Sequence, residues 1–198
     1  MRLRGVLVVT GLGLLALAGC GGVSAGADPS EDGPATSGCS RQAAPPEPIV
    51  TAGATMYPTS PELDAALGRI QEAAPREHAD TYAGLEVVPE RGHAIVYRVP
   101  PADDFDAFVE DVSGGQCIYI RDAEHTNAEL TALQERITND ATYWGGLGVR
   151  INAVGARHDG SAVEVGTEDV ARAEAELPRR YGADAPIVVV EQGPIQPL

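Results

Sequence analysis

Lysine is missing from this 198-residue chain, in which all 14 basic residues are arginines. That excludes chemistry that needs a lysine amine: a Schiff base, a lysine general base, or a P-loop. Positive charge is scarce as well, with 29 acids against those 14 arginines and a formal charge of −15. Nucleic acid is not expected as a partner, because phosphate binding is driven by clustered positive charge. Aromatic residues are only 5% of the chain, whereas glycine (23) and proline (15) are plentiful, so loops and linkers take a sizeable share.

The one long apolar run lies at the N-terminus. Arg2 and Arg4 precede Val6–Ala18, and this run of roughly 13 residues is too short to span a bilayer core, which needs about 20. Residues 1–19 therefore read as an export signal. Its end, Leu17-Ala18-Gly19-Cys20, resembles the lipobox of bacterial lipoproteins. The resemblance implies cleavage just before Cys20, transfer of a diacylglycerol to its sulfur, and a location on the extracytoplasmic face of the cell membrane. An ordinary export signal beside an incidental cysteine is the alternative. Loss of residues 1–19 would remove two arginines and no acid, leaving a chain that anionic headgroups repel. Lipid rather than charge would then have to hold it at the membrane.

If Cys20 carries lipid, Cys39 and Cys117 remain as one pair in an oxidising compartment. A bridge between them would close a loop of roughly 79 residues, worth about 4–5 kcal/mol in the chain-entropy account. Two free thiols, one in a strand and one in a linker, are the other reading. Residues 20–56 are rich in Gly, Ala, Ser, Pro and acids, a composition that cannot bury enough apolar surface to order itself, so a disordered tether is expected there. Ile49–Thr51 is a short strand candidate within it.

Residues 57–122 and 123–198 then read as two small α+β units. In the first, Ser60-Pro61 starts a helix with Leu63, Leu67, Ile70 and Ala74 on one face. Strands over Tyr82–Val88 and Ala94–Val99 follow, then a helix capped by Asp103 or Asp104, and a strand over Cys117–Ile120. In the second, Thr126 and Glu129 form a capping box ahead of Leu130, Leu133 and Ile137. Strands at 149–154 and 163–165 come next, then a helix capped by Thr167 and ended or kinked by Pro178. Ile187–Val190 is apolar on both faces, as a central strand would be. Both units run helix–strand–strand–helix–strand, at an offset of roughly 67–70, although two small α+β units can share that order by coincidence. From Cys117 to Val190 the order is β-α-β-β-α-β, the ferredoxin-like arrangement with both helices on one sheet face.

Motifs that carry chemistry are absent. There is no HExxH, GxSxG, P-loop, or GxGxxG after a strand. His78, His93, His125 and His158 are scattered, and Asp103, Asp104 and Asp106 suit a helix N-terminus better than a calcium loop. No metal, cofactor or catalytic residue is expected. If helices cover one sheet face only, the other would present Arg98, Tyr119, Arg121, Arg150, Asn152 and Glu164, a mixed patch suited to binding protein. A solvated face, or one packed against the other half, explains the same residues.

Glu129-Leu130, Leu133-Gln134-Glu135, Gly148-Val149, Asp159 to Val165, Tyr181-Gly182 and Pro186 to Val189 are similar to the pro-region of secreted actinobacterial serine proteases of the streptogrisin and α-lytic type. That resemblance implies small α+β subdomains that fold or inhibit a protease. No protease follows in this chain, so the expected action is in trans. The leading expectation is a lipid-anchored, non-enzymatic envelope protein that binds another envelope or secreted protein. An inhibitor or folding helper acting in trans, or a hydrolase using Cys117 or a histidine, are the alternatives.

Overall fold

A computed structural model describes residues 33–41 and 46–194. The export signal and Cys20 lie outside them. Within the described residues the chain is mixed α+β, and its two halves repeat one order of elements.

In the first half, the Ser60 cap of helix α1 (Pro61–Glu77) accepts the Leu63 N–H at 3.1 Å. Strands β1 (Ile49–Thr51) and β2 (Ala54–Met56) precede it as an exposed hairpin. After α1, β3 (Tyr82–Val88) turns through Pro89–Arg91 and Gly92, at φ +68°, into antiparallel β4 (His93–Arg98). A left-handed residue favours glycine there because a Cβ would crowd the following carbonyl. Helix α2 (Asp103–Val112) then crosses over, and β5 (Ile118–Asp122) lies parallel to β4. Leu63, Leu67, Ile70, Phe105, Val109, Val96 and Ile118 form one apolar core between the helices and this sheet.

The second half opens with α3 (Asn127–Asn139), which carries the expected capping box: Thr126 accepts the Glu129 N–H, and Glu129 accepts the Thr126 N–H. A short helix α4 (Ala141–Gly146) seats the fully buried Trp144. Strands β6 (Ile151–Ala156) and β7 (Val163–Thr167) form a hairpin, α5 (Val170–Tyr181) crosses over, and β8 (Ile187–Glu191) lies parallel to β7. Leu130, Leu133, Ile137, Trp144, Val163, Val165 and Leu177 make a second core.

The repeat extends to the register. Moving the first sheet on by 69 positions turns Tyr82↔Arg98 into Ile151↔Thr167, Gly84↔Tyr97 into Ala153↔Gly166, and Ala94↔Ile118 into Val163↔Ile187. Even the irregularity between residues 82 and 84 recurs between 151 and 153. A one-residue slip in either sheet would move its apolar set to the wrong face, so a shared bulge keeps both cores intact.

Several local expectations are revised. Residues 33–41 are not free tether: Ala35 bridges Tyr119, and Thr36 is buried. Ile49–Thr51 is a strand, as expected, and pairs with β2. The sheet of β6, β7 and β8 is compatible with a ferredoxin-like unit, but β5, which would stand first in that order, pairs with β4 instead. Ile187–Val190 is an edge strand; its four apolar residues are all half-buried, which periodicity does not distinguish from a central strand. Thr167 closes β7 and accepts the Asp169 N–H, leaving Asp169 as the cap position of α5. Ala102 occupies the cap position of α2, with Asp103 and Asp104 in its first turn. Pro178 stays inside α5, which continues to Tyr181.

Candidate functional site

The residues expected to form one Arg/Tyr patch are divided among three places. Arg98 lies on the helix side of the first sheet, only 8% exposed. Its guanidinium donates to both Asp106 oxygens, at 2.8 and 3.2 Å, and to Asp122, tying the first turn of α2 to β4 and β5. It is a structural clamp rather than a surface contact. Strand alternation placed it correctly only relative to its neighbours; which face received the helices was a tertiary matter.

Tyr119 and Arg121 project from the opposite face of β5. The Arg121 guanidinium stacks 5.3 Å from the Tyr119 ring centre and donates to the Ile120 carbonyl at 2.7 Å. Asn152 belongs to β6 of the second sheet, and Arg150 immediately precedes that strand. Arg150 is exposed and 3.8 Å from Glu168, while the Asn152 amide donates to the Gln192 carbonyl at 2.7 Å.

What the fold does bring together is a seam between the two halves. The turn after β6 lies against β3, so close that a side chain on Gly84 would overlap the His158 carbonyl. Gly160 is enclosed in the same way: a Cβ there would lie 2.7 Å from the Ala123 Cβ and 2.8 Å from the Ala83 Cβ. His125 N–H donates to the Gly160 carbonyl at 3.1 Å. The Tyr97 hydroxyl donates to Glu86 at 3.0 Å, and His158 Nε2 stands 3.5 Å from the same carboxylate oxygen. Burial, with the Glu86 hydrogen bond and charge, pushes the Tyr97 hydroxyl up to about 12.

Beside this seam, the open face of β6 and β7 forms a trough of about 560 Å³. Its floor holds the small residues Ala153 and Gly155, with open space above Gly155, while the Gln192 side chain covers Gly166. Its walls carry both signs of charge, with Arg157 donating to Glu164 at 2.9 Å. Burial opposes ionisation of Asp159, but the Ser161 hydroxyl and N–H, at 2.6 and 3.0 Å, hold its carboxyl below the usual range. That bond also commits the Ser161 hydroxyl to a carboxylate. Cys117 is disulfide-bonded to Cys39, so its sulfur is no free thiolate nucleophile. The trough offers paired charges and the Asn152 amide bonded to Gln192.

Sequence reasoning missed Gly84, Glu86, Tyr97 and Gln192. Gly84 did carry a signal, since an isolated glycine inside a strand pattern marks close backbone approach. Compared with protein-family models, with curated proteins and with solved structures, the chain matches none.

Proposed function

We propose that this chain is a lipid-anchored protein of the cell envelope whose α+β domain binds another protein outside the cytoplasm without catalysing a reaction. The observation that carries this reading is the Cys39–Cys117 bridge. Structural disulfides persist in oxidising compartments, and this one uses two of the three cysteines. The remaining cysteine is Cys20, directly after Leu17-Ala18-Gly19, where a lipoprotein needs its acylated thiol. The excess of acids disfavours electrostatic attachment to anionic lipid, so acyl chains supply the membrane affinity.

The test is fractionation of cells expressing the wild type and Cys20→Ala. The wild type is recovered with membranes and the variant is released; retention of the variant would refute the anchor. Capture from an envelope extract then identifies the partner. Recovery of a secreted serine protease would favour an inhibitor or folding helper in trans, as the pro-region resemblance implies.

A further inference from the structure

The matching register of the two sheets brings out one difference between them. In the first sheet, the outer side of β5 is occupied. Ile120 donates its N–H to the Pro34 carbonyl at 2.8 Å, and the Ile118 carbonyl accepts the Thr36 N–H at 2.9 Å. An extended segment, Pro34–Thr36, is thus added antiparallel to β5 and secured by the bond between Cys39 and Cys117.

Sixty-nine positions on, Ile118 and Ile120 correspond to Ile187 and Val189 of β8. The hydrogen bonds are in the same phase. Val163 N–H to Pro186 carbonyl, 2.7 Å, matches Ala94 N–H to Cys117 carbonyl, 3.3 Å. Gln192 N–H to Thr167 carbonyl, 3.0 Å, matches Ala123 N–H to Arg98 carbonyl, 2.8 Å. Alternation along a parallel ladder therefore points the Ile187 carbonyl and the Val189 N–H away from β7. Among the described residues, no strand pairs with β8 on that side.

Next to this edge runs a groove of about 320 Å³, lined by Leu177, Pro178, Ala183, Ala185, Ile187 and Val189. Ile187 and Val189 are half-buried against the second core, so the groove prolongs that core past its last strand. Charge around it is unbalanced. Glu174, Asp184 and Glu191 are exposed, while Arg179 and Arg180 are committed to Glu176 and Asp140, at 2.7 and 2.8 Å. A second copy pairing here would bring these like charges together.

We propose that the outer edge of β8 receives an extended segment of a partner protein, added antiparallel as Pro34–Thr36 is added to β5. Main-chain hydrogen bonds to Ile187 and Val189 align it, β-branched side chains fill the groove, and basic residues at its ends meet the acids. The inference rests on the protein-binding reading and names the surface. It is independent of the lipid anchor.

The test uses the full-length chain with its disulfide intact and two synthetic peptides. One is Thr-Val-Thr-Val-Thr with arginine at each end; the other carries glutamate at each end. The arginine peptide binds and slows exchange of the Val189 amide by about tenfold or more at saturation, and the glutamate peptide binds roughly tenfold more weakly. Val189→Pro removes an outward N–H, which edge strands tolerate, together with a side chain packed on the second core, and weakens the arginine peptide by about tenfold. Asp184→Arg, at an exposed position, narrows the preference between the peptides and serves if the proline variant fails to fold. Unchanged Val189 exchange at millimolar peptide, equal affinity in the folded proline variant, or self-association through β8 would each overturn the proposal. None of these results bears on membrane retention through Cys20, so the two readings fail separately.

Discussion

Gly84 and His158 meet backbone to backbone, a strand of the first half against a turn of the second. No side chain fits between them. Gly84→Ala should therefore force the turn away from β3 and destabilise the fold by about 1–3 kcal/mol, as overpacking of a close contact does. Denaturant midpoints measure it. Gly68→Ala is the control, because nothing stands within 4 Å of a Cβ there; it should be neutral or slightly stabilising in α1.

The Cys39–Cys117 bond holds residues 33–41 on the outer edge of β5. Cys39→Ser with Cys117→Ser should lower stability by about 4 kcal/mol, the loop-closure value for a span of this length. Amide exchange at Ile118 and Ile120 should also speed up, since both are bonded to the residues 34–36 side. Unfolding curves and exchange rates of oxidised and doubly substituted protein decide it.

Arg98 neutralises two aspartates of the first unit, Asp106 and Asp122. Arg98→Met leaves them near each other with no counter-charge. Because Asp122 is largely exposed and solvent screens it, the loss should be about 2–3 kcal/mol, below the cost of breaking a wholly buried pair. The double variant with Asp106→Leu should recover part of it. Partner capture should survive in whatever fraction remains folded, since Arg98 belongs to the first sheet and the β8 edge to the second.

Asp140 links α3 to the end of α5. The Arg180 guanidinium, helped by the Tyr181 hydroxyl, lowers its carboxyl from 3.8 to about 2. The folded value lies below the unfolded one, so the contribution is present above pH 3.8 and is lost as pH falls towards 2. Melting temperature followed from pH 5 downwards should fall less steeply in Arg180→Met than in the wild type. An identical slope would show that the pair contributes nothing.

The helices and strands were legible because each has a local cause. Ser60 and Thr126 cap their helices as their sequence contexts require, and Leu63, Leu67, Ile70 and Leu130, Leu133, Ile137 are buried as their spacing predicts. The paired order of elements was equally visible. Arg98 lies under the helices and β8 at the sheet edge, against expectation, because side-chain alternation is silent about which face is covered and which strand is last. The Thr36 contact was hidden for another reason: a short polar segment far from β5 in sequence becomes ordered only through the bridge and the bonds of Thr36 to Gln116 and Ile118.

Local patterning by itself determined two α+β units in tandem, their helix starts, and a pair of cysteines free to join. Only the tertiary structure decided that the units share one register, that the seam closes on Gly84 and Gly160, and that β5 is covered while β8 is open. Periodicity acts over a few residues and selects elements. Which edges and faces meet depends on contacts between residues far apart in the chain, such as Gly84 and His158, set by packing, backbone hydrogen bonding and one covalent bond.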